Sequence, residues 1–187
     1  MELSALSNIY REAGIVGAGG AGFPTYAKLN SNAETILLNC AECEPLLRLH
    51  RQLLKFHASE IISAFEETRK TVGAKEGIVC IKEHYKGAIE AVTALLPEYP
   101  SMKIKILPKV YPAGDEVMLI YDATGKVVRP GGLPIECGVA VFNVETMYNA
   151  YCALNGESLT SKLVTIAGEV KDPKTLRLPL GAKLSEV

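Results

Sequence analysis

The sequence predicts an α/β fold, a parallel sheet flanked by helices. Two observations carry the prediction. Short apolar runs at Thr35–Asn39, Gly77–Lys82 and Met102–Leu107 have the length of sheet strands. Segments with helical spacing separate them, giving a β-α-β-α-β order that right-handed crossovers close into one layer. At 187 residues the chain suits one good-sized domain with a small appendage.

Taken in order, Leu3–Ala13 reads as a short amphipathic helix ended by Gly14. Thr35–Asn39 is apolar almost throughout, as a strand buried on both faces requires. Leu46–Val72 has Leu46, Leu49, Leu53, Phe56, Ile61 and Phe65 spaced for one helix face. Tyr85–Leu96 is a second crossover helix, stopped before Pro97. Met102–Leu107 alternates apolar and cationic residues, which places it nearer the sheet edge. Asp115 and Glu116 open a short helix through about Asp122, where acids complement the helix dipole. Gly138–Asn143 is a further strand and Val144–Leu154 a helix; Asn143 is suited either to cap that helix or to flank an anion there with Thr146. Beyond residue 160 the character changes. Leu163–Val170 and Leu176–Leu180 are strand-like around the turn Lys171–Lys174, a second unit too short to close its own core. The boundaries are therefore 1–160 and 161–187, with more of that second unit expected downstream.

Composition excludes several classes. Lys+Arg and Asp+Glu nearly balance at a net charge of −1, which argues against broad binding of nucleic acid. Met1-Glu2-Leu3 opens without a basic leader, and no run approaches the roughly 18 apolar residues of a membrane span, so a cytoplasmic protein is expected. The five scattered cysteines fit a reducing compartment. Cys40 and Cys43 form a single C-x-x-C; with no second pair, small buried thiols are the expected use and no metal site is assigned. His50, His57 and His84 form no metal-binding or nucleophile–base pattern.

The most informative stretch is Gly14–Lys28. Its glycines allow close backbone approach to a ligand, and successive N–H groups in such a loop can cradle an anion. Gly17, Gly19 and Gly22 satisfy G-x-G-x-x-G, and Glu42 follows at the distance a dinucleotide fingerprint wants. The context argues against that fingerprint. A helix precedes the glycines, and Pro24 tolerates only a first helical turn behind them. A ligand-cradling loop of another kind, or a glycine-rich connector, remains. A ligand on this sheet would sit beyond the carboxyl ends of the strands, where the first delivers Asn39, Glu42 and Glu44.

Four segments in order, G-A-G-G-A-G-F-P-T-Y-A-K (17–28), N-C-A-E-C-E-P (39–45), Y-P-A-G-D-E-V (111–117) and F-N-V-E-T (142–146), together resemble the flavin-binding subunit of respiratory complex I. They are more similar still to the C subunit of Rnf complexes and to the cobalamin-reductase and proline-reductase-associated electron-transfer flavoproteins. The resemblance covers essentially residues 8–187. It implies a Rossmann-like, FMN-binding sheet domain, followed by the opening of an SLBB β-grasp domain. It further implies that Gly17, Gly19 and Lys28 line FMN, that Asn39 and Glu42 hold its ring and ribityl edge, that Tyr111 and Gly114 flank it, and that Asn143 and Thr146 take its phosphate. Glu44, Asp115 and Glu116 would face the nicotinamide and ribose of NADH, with Phe23 as an apolar wall. No protein acid–base group is required.

Departures qualify the resemblance. Ala41 stands where the complex I relatives carry an acid, and Leu29-Asn30-Ser31 replaces the aromatic expected after Lys28 to stack on adenine. The ferredoxin-like cysteine clusters of the family's downstream domains are absent. The expected function is an FMN-dependent, NADH-oxidising electron-input module. It would pass electrons to iron–sulfur centres in downstream domains or partner subunits, peripheral to a membrane complex or within a bacterial microcompartment. Its rival is a non-catalytic module that docks a corrinoid or a protein.

Overall fold

A computed structural model of the chain describes residues 1–20 and 22–187; Ala21, inside the glycine-rich stretch, lies outside the described residues. Four strands, β1 (Thr35–Asn39), β2 (Glu76–Lys82), β3 (Met102–Leu107) and β4 (Val139–Asn143), form one parallel sheet in the order β3-β2-β1-β4. The expected parallel α/β layer is therefore present, with the alternating Met102–Leu107 segment at an edge. Alternation along β1 sends Ile36 and Leu38 into one buried cluster and Leu37 into another. Burial on both faces explains why the run is continuously apolar.

The helices divide unevenly between those faces. α1 (Leu3–Glu12), α3 (Leu49–Val72), α4 (Lys86–Leu95) and α6 (Val144–Leu154) build the larger cluster, around Leu6, Phe65, Val92 and Met147. α5 (Glu116–Thr124) contributes Leu119 and Ile120 to the smaller cluster. A buried bond between Tyr10 Oη and Thr68 Oγ1, at 2.9 Å, fastens α1 to α3. The latter departs from the single stripe that its spacing predicts. Leu53, Ile61 and Phe65 are buried, but Leu46 lies outside the helix and Phe56 is 67% exposed. His57, at φ −133°, ψ 30°, breaks the helical path, so the spacing does not run through it in one phase.

Beyond α6, β5 (Ser161–Ile166) and β6 (Lys174–Pro179) pair antiparallel as a separate two-stranded sheet. Among the described residues no helix is long and apolar enough to cross a membrane.

Candidate functional site

The strand order creates the site. From β1 the chain proceeds outward to β2 and β3, then returns to place β4 on the other side of β1. The β1-to-β2 crossover runs one way along the sheet and the β3-to-β4 connection runs back past β1, so the strand order reverses between β1 and β4, where a ligand crevice opens at the strands' carboxyl ends. Asn39 and Asn143 pair across that point as the last residues of the two strands.

Both side chains serve the backbone around the crevice. Asn39 Nδ2 donates to the Gly114 carbonyl at 2.8 Å, and its Oδ1 accepts from Ala41 N at 3.0 Å. These bonds draw the Tyr111–Val117 turn onto the end of β1. Asn143 Oδ1 accepts from Glu145 N and Thr146 N at 2.9 and 3.3 Å, capping α6. Its Nδ2 turns to His50 Nε2 at 3.1 Å, which makes that imidazole nitrogen the acceptor. Burial, helped by the charge of Lys162, pushes the His50 pKa down to about 4, consistent with a neutral ring.

The glycine stretch folds over this floor. Val16 bridges Pro24, Gly17 N donates to Phe23 O at 2.8 Å, and Thr25 N donates to Ile15 O at 3.0 Å. The loop is pinched at its base, and Pro24 passes directly into the single turn α2 (Thr25–Lys28). Ala18 N donates to Thr146 Oγ1 at 2.9 Å. A Cβ on Gly19 would stand 2.5 Å from Asn143 Nδ2, so only glycine lets the loop approach the cap this closely. Gly114 is constrained likewise: a Cβ there would stand 2.5 Å from the Ala41 carbonyl oxygen and 2.8 Å from Cys43 Sγ.

Between loop and floor lies a cleft of about 400 Å³. It gathers Gly17, Gly19, Phe23, Lys28, Asn39, Gly114, Glu116, Asn143 and Thr146 of the sequence-predicted residues. Lys28 Nζ donates to the Val141 carbonyl at 2.8 Å and to Glu116 Oε1 at 3.3 Å. A second cleft, of about 460 Å³, shares Asn39, Gly114 and Asn143 with the first and holds Glu42 and Glu44. Glu42 is buried: its Oε1 accepts from His50 N at 2.9 Å, while its Oε2, 3.8 Å from Arg51 Nε, makes no hydrogen bond among the described residues. Desolvation pushes its carboxyl above the usual range. Glu44 is exposed on the rim. Two residues stand apart from both clefts. Tyr111 is 79% exposed, and the Asp115 carboxylate caps α5 by accepting from Val117 N and Met118 N, each at 3.1 Å.

A third cleft, of about 320 Å³ and mainly apolar, shares Phe23, Lys28 and Glu116 with the first and adds Leu133 and Ile135. Among the described residues no three His, Cys, Asp or Glu side chains gather as a metal site. The sequence alone did not single out Thr25 or Gly20, which line the first cleft, nor Glu145 and Lys162, which line the second. Thr25 had a local signal in its place after Pro24; Lys162 had none, because its partners lie far away in sequence.

The residues present suit a phosphorylated flavin. Gly20 lines the cleft, and a Cβ there would meet nothing within 4 Å among the described residues, so the loop backbone lies open beside it. Thr25 Oγ1 is buried without a partner among the described residues. Thr146 Oγ1 already accepts a bond, which leaves its proton to give, and Lys28 brings a cation. Donors on one side and free glycine backbone on the other match an anion on a flat ring system.

Comparison with known proteins agrees. The family model described as Nuo51 FMN-binding domain matches residues 10–152. The chain belongs to this family. FMN is thus the cofactor of its fold. Cobalamin reductase PduS of Citrobacter freundii is 45% identical over 95% of this chain and 39% of its own length. The same-named protein of Salmonella typhimurium is 43% identical over 100% of this chain and 42% of its own length. The C subunit of the Na(+)-translocating ferredoxin:NAD(+) oxidoreductase complex of Acetobacterium woodii is 32% identical over 100% of this chain and 44% of its own length. The chain therefore spans about two-fifths of the length of these three relatives. A crystal structure of NAD+-reducing NiFe-hydrogenase in the H2-reduced state superposes with a TM-score of 0.84 at 24% identity, over 99% of this chain and 38% of that one, which shows a shared fold.

Proposed function

We propose that this chain is the electron-input module of a larger flavoprotein, holding FMN in the first cleft and oxidising NADH there. The observation that carries the reading is the convergence of Lys28, Thr25, Thr146 and the glycine backbone on the crevice between β1 and β4. When bound, FMN supplies a ring that takes a hydride from reduced nicotinamide and releases electrons singly. The rest of the reaction asks the protein for position and electrostatics, and no residue is assigned as a base.

In this reading Asn143 and Thr146 face the phosphate, Gly17 and Gly19 let the backbone lie against the flavin, and Lys28 supplies positive charge. Asn39 and Gly114 hold the facing wall together, and Glu42 supports that wall from behind by accepting from His50 N at the start of α3. Tyr111 and Asp115 lie outside the clefts and take no ligand contact in this reading; the Asp115 carboxylate serves the cap of α5. NADH enters along the third cleft, between Phe23 and the Leu133–Ile135 segment, which supplies apolar surface where no aromatic follows Lys28. Glu116, held by Lys28, turns its other oxygen to the nicotinamide ribose, with Glu44 nearby.

Residues 1–160 form the FMN- and NADH-binding unit, and the hairpin from 161 opens an SLBB domain; its separate sheet supports that division. Electrons leave to iron–sulfur centres in further domains or partner subunits, either cytoplasmic at the edge of a membrane complex or inside a microcompartment. The names of the relatives, a cobalamin reductase and a ferredoxin:NAD(+) oxidoreductase subunit, support that placement. The rival docking-module reading is not favoured by a chain of this family. Anaerobic titration of the FMN-reconstituted chain with NADH tests the proposal: stoichiometric bleaching of the flavin band supports it, and a band that NADH leaves unchanged defeats it.

A further inference from the structure

One side chain of the hairpin reaches back to the glycine loop. Lys162, on β5, donates from Nζ to the Ala18 carbonyl at 3.0 Å and pairs with the Glu145 carboxylate. Glu145 is itself buried, and its other oxygen accepts from Leu163 N at 3.3 Å. Ala18 is therefore held on both sides. Its N–H goes to Thr146 on α6 and its carbonyl to Lys162 on β5.

The next residues, Gly19 and Gly20, are exposed at the loop tip and line the first cleft. A glycine-rich segment has more backbone freedom to lose on ordering than any other. Fixing it before the ligand arrives removes that cost from binding. Lys162 sits where the loop carbonyl, the start of α6 and the hairpin meet.

We propose that Lys162 is a positioning residue for the cofactor: by clamping Ala18 it presets the glycine loop at the phosphate end of the FMN cleft. This rests on the reading that FMN occupies that cleft. The hairpin, which follows the matched family region in sequence, thereby becomes part of the flavin site's support.

The test compares the whole chain with Lys162→Met and Lys162→Arg in two measurements. The first is amide hydrogen exchange at 18–20 without flavin. The second is affinity for FMN and for riboflavin, which lacks the phosphate. Lys162→Met is expected to speed loop exchange and weaken FMN about tenfold, to leave riboflavin nearly unchanged, and to be largely rescued by Lys162→Arg. Unchanged FMN affinity overturns the inference. Weaker FMN binding with unchanged exchange in the free protein also overturns it, because Lys162 would then be a direct contact. An equal loss of riboflavin affinity overturns it as well. If the parent chain binds no FMN, the site reading itself falls and this inference with it. If Lys162→Met does not fold, Lys162→Gln, which keeps a shorter donor without charge, is read against the same outcomes.

Discussion

Asn39 and Asn143 stand opposite each other as the final residues of adjacent parallel strands, yet their amides do different work. Asn39 ties the Gly114 turn to the sheet, while Asn143 caps α6 and presents its nitrogen to His50 and the glycine loop. The crevice opens at this pair because the strand order reverses between β1 and β4.

Asn143→Ala removes the side-chain cap of α6 and the partner of His50. Loss of the cap costs about 1 kcal/mol, and a buried imidazole nitrogen left unpaired adds on the order of 1 kcal/mol. Urea unfolding is expected to show a lower midpoint with an unchanged slope. Asn143→Asp, which keeps a capping oxygen, should recover part of the loss.

The buried histidine makes a pH prediction. In the unfolded chain His50 titrates near 6.5; in the folded chain burial holds it to about 4. The folded state thus refuses a proton that the unfolded state accepts. Stability is full above the unfolded value and falls as pH drops through the window between the two, by at most about 1.4 kcal/mol per pH unit. Glu42 works in the opposite sense, since its raised pKa lets the folded chain take up a proton before the unfolded one. The difference between the parent and His50→Gln isolates the histidine. Its slope should vanish in the variant, and parallel pH–stability curves would contradict the assignment.

Glu116 is held by Lys28 at 3.3 Å, at the junction of the first and third clefts. Glu116→Gln keeps the shape and removes the charge. Losing one charge-assisted bond to the nucleotide should raise the NADH concentration for half-maximal flavin reduction about tenfold. FMN affinity should change much less. An unaltered NADH dependence removes Glu116 from the nucleotide site.

Much of the framework was legible because local patterns and tertiary demands coincide. Thr35–Asn39 is a strand over its full expected length, since burial on both faces forces a continuous apolar run. Val144–Leu154 is a helix at its expected bounds, since Asn143 is a strong cap. Periodicity failed at Leu46 and Phe56, where the His57 break and the irregular entry to α3 shift the phase. Within the site, glycine and asparagine placements followed from motif and strand end. The motif placed Glu42 just past the end of the first strand, but nothing local showed that its carboxylate is a buried partner of the α3 backbone. Asp115 spends its carboxylate on the cap of α5, the ordinary use of an acid there. Lys162 could not be found from spacing, because its bond to Ala18 spans most of the chain.

The central claim is that FMN fills the space beneath the glycine loop, and Gly20 gives the most direct measurement of it. A Cβ there meets nothing within 4 Å among the described residues, and the residue lines the cleft. Fluorescence titration of FMN should be run on the parent chain and Gly20→Val, with thermal melts alongside. Saturable one-to-one binding is expected of the parent. The valine variant should melt within about 0.5 kcal/mol of the parent and bind FMN at least about tenfold more weakly. A folded variant that binds FMN as tightly as the parent would place the flavin elsewhere.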